Sequence, residues 1–131
     1  MKEITKYQAF KITHLAGVTG AVIKETKTDV DESYDEITGI EVYENSSGGV
    51  TNGYYQVGIS DGDRDYAAIV HKNSLLTNAS VPQPLKSKPI TIPIRKGMGL
   101  KARTYWPAAG ALASDLEYEI VYRLVKRVVE N

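Results

Sequence analysis

The last stretch of the chain alternates with a period of two. From Leu116 to Val128 the even positions carry Leu116, Tyr118, Ile120, Tyr122, Leu124, Lys126 and Val128; the odd positions between them carry Glu117, Glu119, Val121, Arg123, Val125 and Arg127. Successive side chains of a strand point to opposite faces, so this pattern describes a strand with one buried face. Leu116, Ile120, Leu124 and Val128 also stand four apart, a spacing that a helix can use. The tyrosines and β-branched residues in the same window favour the extended form. The alternation therefore predicts Ile120 and Leu124 in a core, with Glu119 and Arg123 facing outward.

The rest of the chain reads as further strands separated by turn residues. A first strand is expected over Glu3–Thr13, a second from Val22 towards Lys27 and a third over Ile37–Tyr43. A fourth covers Tyr54–Ser60, a fifth Tyr66–His71, a sixth Lys88–Ile94 and a seventh Leu100–Trp106. Gly17 and Gly20, Asn52-Gly53, and Gly97 with Gly99 mark turns, where positive φ is most easily adopted. The acidic stretch Asp29–Glu36 reads as a solvated loop. Asn73–Ser87 is the longest irregular stretch, and Pro107–Ser114 is a small-residue loop.

The sixth strand carries Pro89 and Pro93 between Ile90, Ile92 and Ile94. Residues four apart aim their N–H groups at the same edge, so both missing donors fall on one side. That side cannot carry a full ladder, which predicts an edge strand blunted against stray pairing. About eight antiparallel strands then form a two-sheet sandwich, all-β, of the jelly-roll or a related Greek-key type.

Composition narrows the function classes. The chain has 131 residues, no cysteine, and sixteen basic against sixteen acidic residues. That length is expected to form a single sandwich domain over residues 1–131 with a real core. The absence of cysteine removes disulfides, thiolate metal sites and thiol nucleophiles. A neutral balance disfavours a duplex nucleic-acid binder, which normally carries a basic excess. Met1-Lys2-Glu3-Ile4-Thr5-Lys6 lacks the apolar run of a signal peptide, and no apolar stretch approaches a membrane span. Nine tyrosines against one phenylalanine suit surfaces with one apolar and one wet side.

Several short motifs have blander readings that fit better. Gly58-Ile59-Ser60-Asp61-Gly62 matches a nucleophile-elbow pattern, but that chemistry needs Ser60 on a strand-to-helix turn, and a strand follows here. Gly97-Met98-Gly99-Leu100-Lys101-Ala102 matches a dinucleotide fingerprint, yet it too leads into a strand. Asp61, Asp63 and Asp65 share the spacing of a calcium loop, but Tyr66 and Lys72 stand where glycine and a bidentate glutamate belong. Whether a cation sits in Asp29–Glu36 or Asp61–Asp65 stays open at this level. His14 and His71 are too isolated for a metal or acid–base role. Asn45-Ser46-Ser47 and Asn78-Ala79-Ser80 are sequons without a secretory signal. No catalytic, cofactor-binding or metal residue is therefore assigned.

The layout of strand blocks, the long proline-containing loop and the closing strand resembles small jelly-roll structural proteins of viruses and phages. That resemblance implies a capsid, capsid-decorating or spike-base subunit, non-enzymatic, without a cofactor, and partnered by itself and by other virion proteins. It implies a virion location; otherwise a chain without a signal peptide is expected in the cytoplasm. Leu75, Leu76 and Leu85 are more apolar than a free loop needs, and Pro82 and Pro84 stiffen their segment, so they are the expected oligomer interface. The alternative is a non-catalytic carbohydrate-binding module, with Tyr54, Tyr105 and Trp106 stacking on sugar rings. A small enzyme using Ser60 ranks last.

Overall fold

The computed structural model describes residues 2–14, 22–44, 56–62, 64–71, 88–106 and 116–129. They contain eight strands: β1 (Lys2–His14), β2 (Val22–Lys27), β3 (Glu36–Glu44), β4 (Gln56–Ser60), β5 (Asp65–His71), β6 (Lys88–Pro93), β7 (Lys101–Trp106) and β8 (Leu116–Val128). None of the described residues is helical. The glycine pair Gly97 and Gly99, at φ 72° and 61°, turns the chain from β6 into β7.

The strands nest in antiparallel pairs, β1 with β8, β2 with β7, β3 with β6 and β4 with β5. Lateral pairing of β8 with β3 and of β7 with β4 completes two four-stranded sheets, ordered β1-β8-β3-β6 and β2-β7-β4-β5. This is the strand order of a jelly roll: a long hairpin folded at the β4–β5 turn and rolled on itself. β6 lies at a sheet margin, as Pro89 and Pro93 require.

Both sheets contribute to one core. Ile12, Ile37, Val42, Ile92, Ile120 and Leu124 from the first sheet pack in the same cluster as Val57, Ile59, Leu100 and Ala102. Ile120 and Leu124 are fully buried, while Glu119 and Arg123 are half-exposed. The period of two is interrupted on β3. Ile37 and Ile40 are three apart, yet both are buried, because a register shift between Ile37 and Gly39 inserts one extra residue. Arg123 pins this bulge, donating from its guanidinium to Thr38 Oγ1 at 3.2 Å.

Two tyrosines of β8 cross the sandwich. Tyr118 shares a hydrogen bond with Thr104 on β7, and the Tyr122 hydroxyl lies 3.3 Å from Thr28 Oγ1, just beyond β2. Burial of both rings pushes their hydroxyl pKa values up, that of Tyr118 to about 12. Tyrosine here supplies core volume and also satisfies polar groups between the sheets, a use that composition alone did not reveal.

The β2–β3 connection is largely solvent-exposed, as expected, but is anchored as a strap at several points. Thr28 and Val30 are buried. Gln8 of β1 brackets the strap, donating to Asp29 O and accepting from Asp31 N–H. Glu32 accepts from Gly97 N–H, and Asp35 accepts from Arg127 N–H. Asp31, Glu32 and Asp35 thus spend their carboxylates on the protein itself.

Candidate functional site

Two clefts flank the β4–β5 turn. The first, about 270 Å³, is lined by Glu25, Ser60, Gly62, Arg64, Asp65 and Arg103. β7 places Arg103 opposite Glu25 on β2 and opposite Gly58 on β4, where a missing side chain leaves room for the guanidinium. Arg103 lies 3.6 Å from both Glu25 and Asp65, and Lys101 lies 3.2 Å from Glu25. Two acidic and two basic side chains balance among the described lining residues, so they carry no surplus with which to draw in an ion.

Ser60 ends β4 inside this cleft. Its Oγ accepts from Gly62 N–H at 3.0 Å, and Gly62 has φ 95°. Asp61 then caps the turn by accepting from Arg64 N–H at 2.8 Å, and the chain enters β5. Ser60 therefore sits in a strand–turn–strand hairpin whose geometry explains its Gly, Ser and Asp content.

The second cleft, about 260 Å³, lies beside Asp61, Arg64, Tyr66, Pro93 and Arg95. Asp61 Oδ2 accepts from the Tyr66 hydroxyl and from Arg95, each at 2.8 Å. Its side chain is only 2 % exposed, so it acts as a clamp between the β4–β5 turn and the segment after β6. Among the described residues no cluster of three or more His, Cys, Asp or Glu is placed to hold a metal ion. Asp31 is likewise engaged. Hydrogen bonds from Ser33, together with the Lys6 ammonium at 3.0 Å, hold its carboxyl down at about 2.

Among the described residues the longest sheet margin is the outer edge of β1. This strand runs thirteen residues in unbroken register with β8, and no described strand pairs with its other edge. Among the described residues, two of the three large exposed hydrophobics lie on β1, Ile4 at 39 % and Tyr7 at 48 %; the third, Val129, follows β8. Lys2 to Tyr7 of β1 are exposed at both parities, and on the inward parity Lys6 and Gln8 meet the β2–β3 strap at Asp31 and Asp29. Glu3, Tyr7 and Lys11 share the outward parity; Ile4, Phe10 and Ile12 share the parity that becomes buried at Ile12. A sequence signal for this was present: Lys2, Glu3, Lys6 and Lys11 put charges on both parities, which a strand buried on one face does not tolerate.

Of the residues expected to bind, Tyr105 is half-buried on β7, next to Ile23 of β2 and Gln56 of β4. Trp106 ends β7, but its side chain lies outside the described residues, as does all of Tyr54. Leu75, Leu76 and Leu85 also lie outside them. The β1 margin was not singled out by the sequence reading. The chain matches no family model, no curated protein and no solved structure. No helix among the described residues is long and apolar enough to cross a membrane.

Proposed function

We propose that this protein is a non-catalytic structural subunit of a virus or phage particle, a capsid, capsid-decorating or spike-base component that works by symmetric self-association. The observation that carries the reading is the unequal treatment of the sheet edges. Exposed edges of soluble proteins are normally blunted by short strands, prolines or bulges. Here β6 carries Pro89 and Pro93, β5 pairs with β4 through register shifts, and β2 is only six residues long. β1 has neither a proline nor a register shift over its thirteen residues; its edge carries lysines instead, Lys2, Lys6 and Lys11. A long edge with no described strand beside it, next to the exposed Ile4 and Tyr7, suits an assembling subunit. Jelly rolls also serve as lectins and cupins, so the topology supports this reading without deciding it.

Leu75, Leu76 and Leu85 form a second contact in this proposal. Negative-stain electron microscopy and sedimentation of the purified protein test it, alongside a glycan array. Closed symmetric assemblies without glycan binding are the expected result. A monomer that binds glycans would instead make this a carbohydrate-binding module, with Tyr54, Tyr105 and Trp106 as its platform.

A further inference from the structure

We infer that two copies of this chain pair edge to edge through β1, antiparallel, in the register that sets Tyr7 opposite Tyr7 of the second copy, Glu3 opposite Lys11 and Ile4 opposite Phe10. This rests on the self-association reading above and names its contact. The occupant of the open edge is a second copy, because β1 is complementary to itself in charge and in apolar pattern.

Backbone geometry limits the choices first. In an antiparallel pair, directly opposite residues either both aim their N–H and C=O groups at the partner or both aim them away. Along β1 those groups alternate, since every second residue already faces β8. Only residues of equal parity can then stand opposite one another, so the two-fold axis passes through a residue and never between two. Equal parity also keeps outward side chains with outward ones, which leaves the two sandwich faces continuous.

Side chains select among the remaining registers. Centring on Lys6 sets two ammonium groups against each other. Centring on Gln8 sets Glu3 against Thr13 and Lys11 against Thr5, so neither charge meets its opposite. Centring on Thr5 limits the overlap to Lys2–Gln8. Centring on Tyr7 pairs nearly the whole strand, from Lys2 to Ile12. It sets Glu3 against Lys11 twice by symmetry, stacks two tyrosines at the axis, and covers Ile4 with the second copy's Phe10. Opposite-charge and aromatic cross-strand pairs are the favourable ones, while like charges directly opposite destabilise. Lys11 already lies 3.2 Å from Glu117 on the outer face, and Glu3 lies 3.9 Å from Arg127. The incoming charges therefore extend alternating rows that β8 begins. The product joins the four-stranded β1-β8-β3-β6 sheets of two copies through an isologous contact.

Charge exchange and cross-linking test this register. Glu3→Lys and Lys11→Glu should each weaken dimerisation roughly tenfold, because each turns two attractive pairs into two repulsive ones. The double variant Glu3→Lys with Lys11→Glu should restore wild-type affinity. The chain has no cysteine, so single cysteines report cleanly. Tyr7→Cys should oxidise to a covalent dimer, since opposite Cα atoms lie within disulfide reach at about 5 Å. Thr5→Cys should not, its copies standing roughly 13 Å apart. Circular dichroism checks that each variant is folded. A wild type that stays monomeric overturns both this register and the self-association reading. A wild-type oligomer that ignores both reversals, or that cross-links at Thr5 and not at Tyr7, overturns this register alone.

Discussion

The hydroxyl of Tyr122 donates to Thr28 Oγ1 across 3.3 Å, joining the central strand of one sheet to the margin of the other through the core. The direction follows from the next bond in the chain. Thr28 spends its own proton on the carbonyl of Leu100, at 3.2 Å, so its oxygen is left to accept. A buried hydroxyl without a partner costs more than the bond contributes when made.

Thr28→Val should therefore destabilise the protein by about 1–3 kcal/mol, the cost of stranding the Tyr122 hydroxyl. The same substitution in a Tyr122→Phe background should cost less, because nothing is left stranded. Urea unfolding of the two single variants and the double variant measures the coupling, expected at about 1 kcal/mol.

Alkaline pH should erode stability through the same rings. Burial raises Tyr118 from 10.0 to about 12 and raises Tyr122 as well. The folded state thus keeps protons that the unfolded chain releases. Their contribution is complete below pH 10 and is lost as pH rises from 10 through about 12, by about 1.4 kcal/mol per pH unit for each ring. Unfolding free energies across this range should fall less steeply for Tyr118→Phe and for Tyr122→Phe than for the wild type.

Ile120 and its neighbour Glu119 separate the two faces of β8. Ile120→Ala should cost about 2–5 kcal/mol, since it opens a cavity in a fully buried site. Glu119→Ala should stay within about 0.5 kcal/mol. Thermal melts of the two variants check the contrast, and equal shifts would mean that the buried face is misassigned.

Asp61 and Arg95 form an unequal pair. Asp61→Ala removes the acceptor for Arg64 N–H and for the Tyr66 hydroxyl from a nearly buried site, and should cost about 1–3 kcal/mol. Arg95→Ala should cost less than about 1 kcal/mol, because that side chain is 62 % exposed. Denaturation midpoints of the two variants give the comparison.

Much of the fold was legible in the sequence because alternation, turn residues and prolines act locally. β2 and β8 keep the expected ends, the other strands shift by a residue or two, and Pro89 with Pro93 announced the β6 edge. The bulge at Thr38 was not read from the sequence, although Gly39 inside the strand is a local hint of one. It arises from the pairing of β3 with β8. The strap over residues 28–35 read as solvated because its carboxylates are many, and much of it is exposed. Its anchoring depends on partners such as Gln8, Gly97 and Arg127, far away in sequence. The margin position of β1 was not legible either, because sheet order depends on long-range pairing; only the order β1-β8-β3-β6 leaves it without a described neighbour on one side.

Static light scattering coupled to size exclusion tests the central claim of self-association most directly. The chain has a mass of 14.4 kDa. The account predicts a closed multiple of that mass, containing an even number of copies if β1 pairing is its basis. A folded particle of 14.4 kDa at every concentration would contradict it.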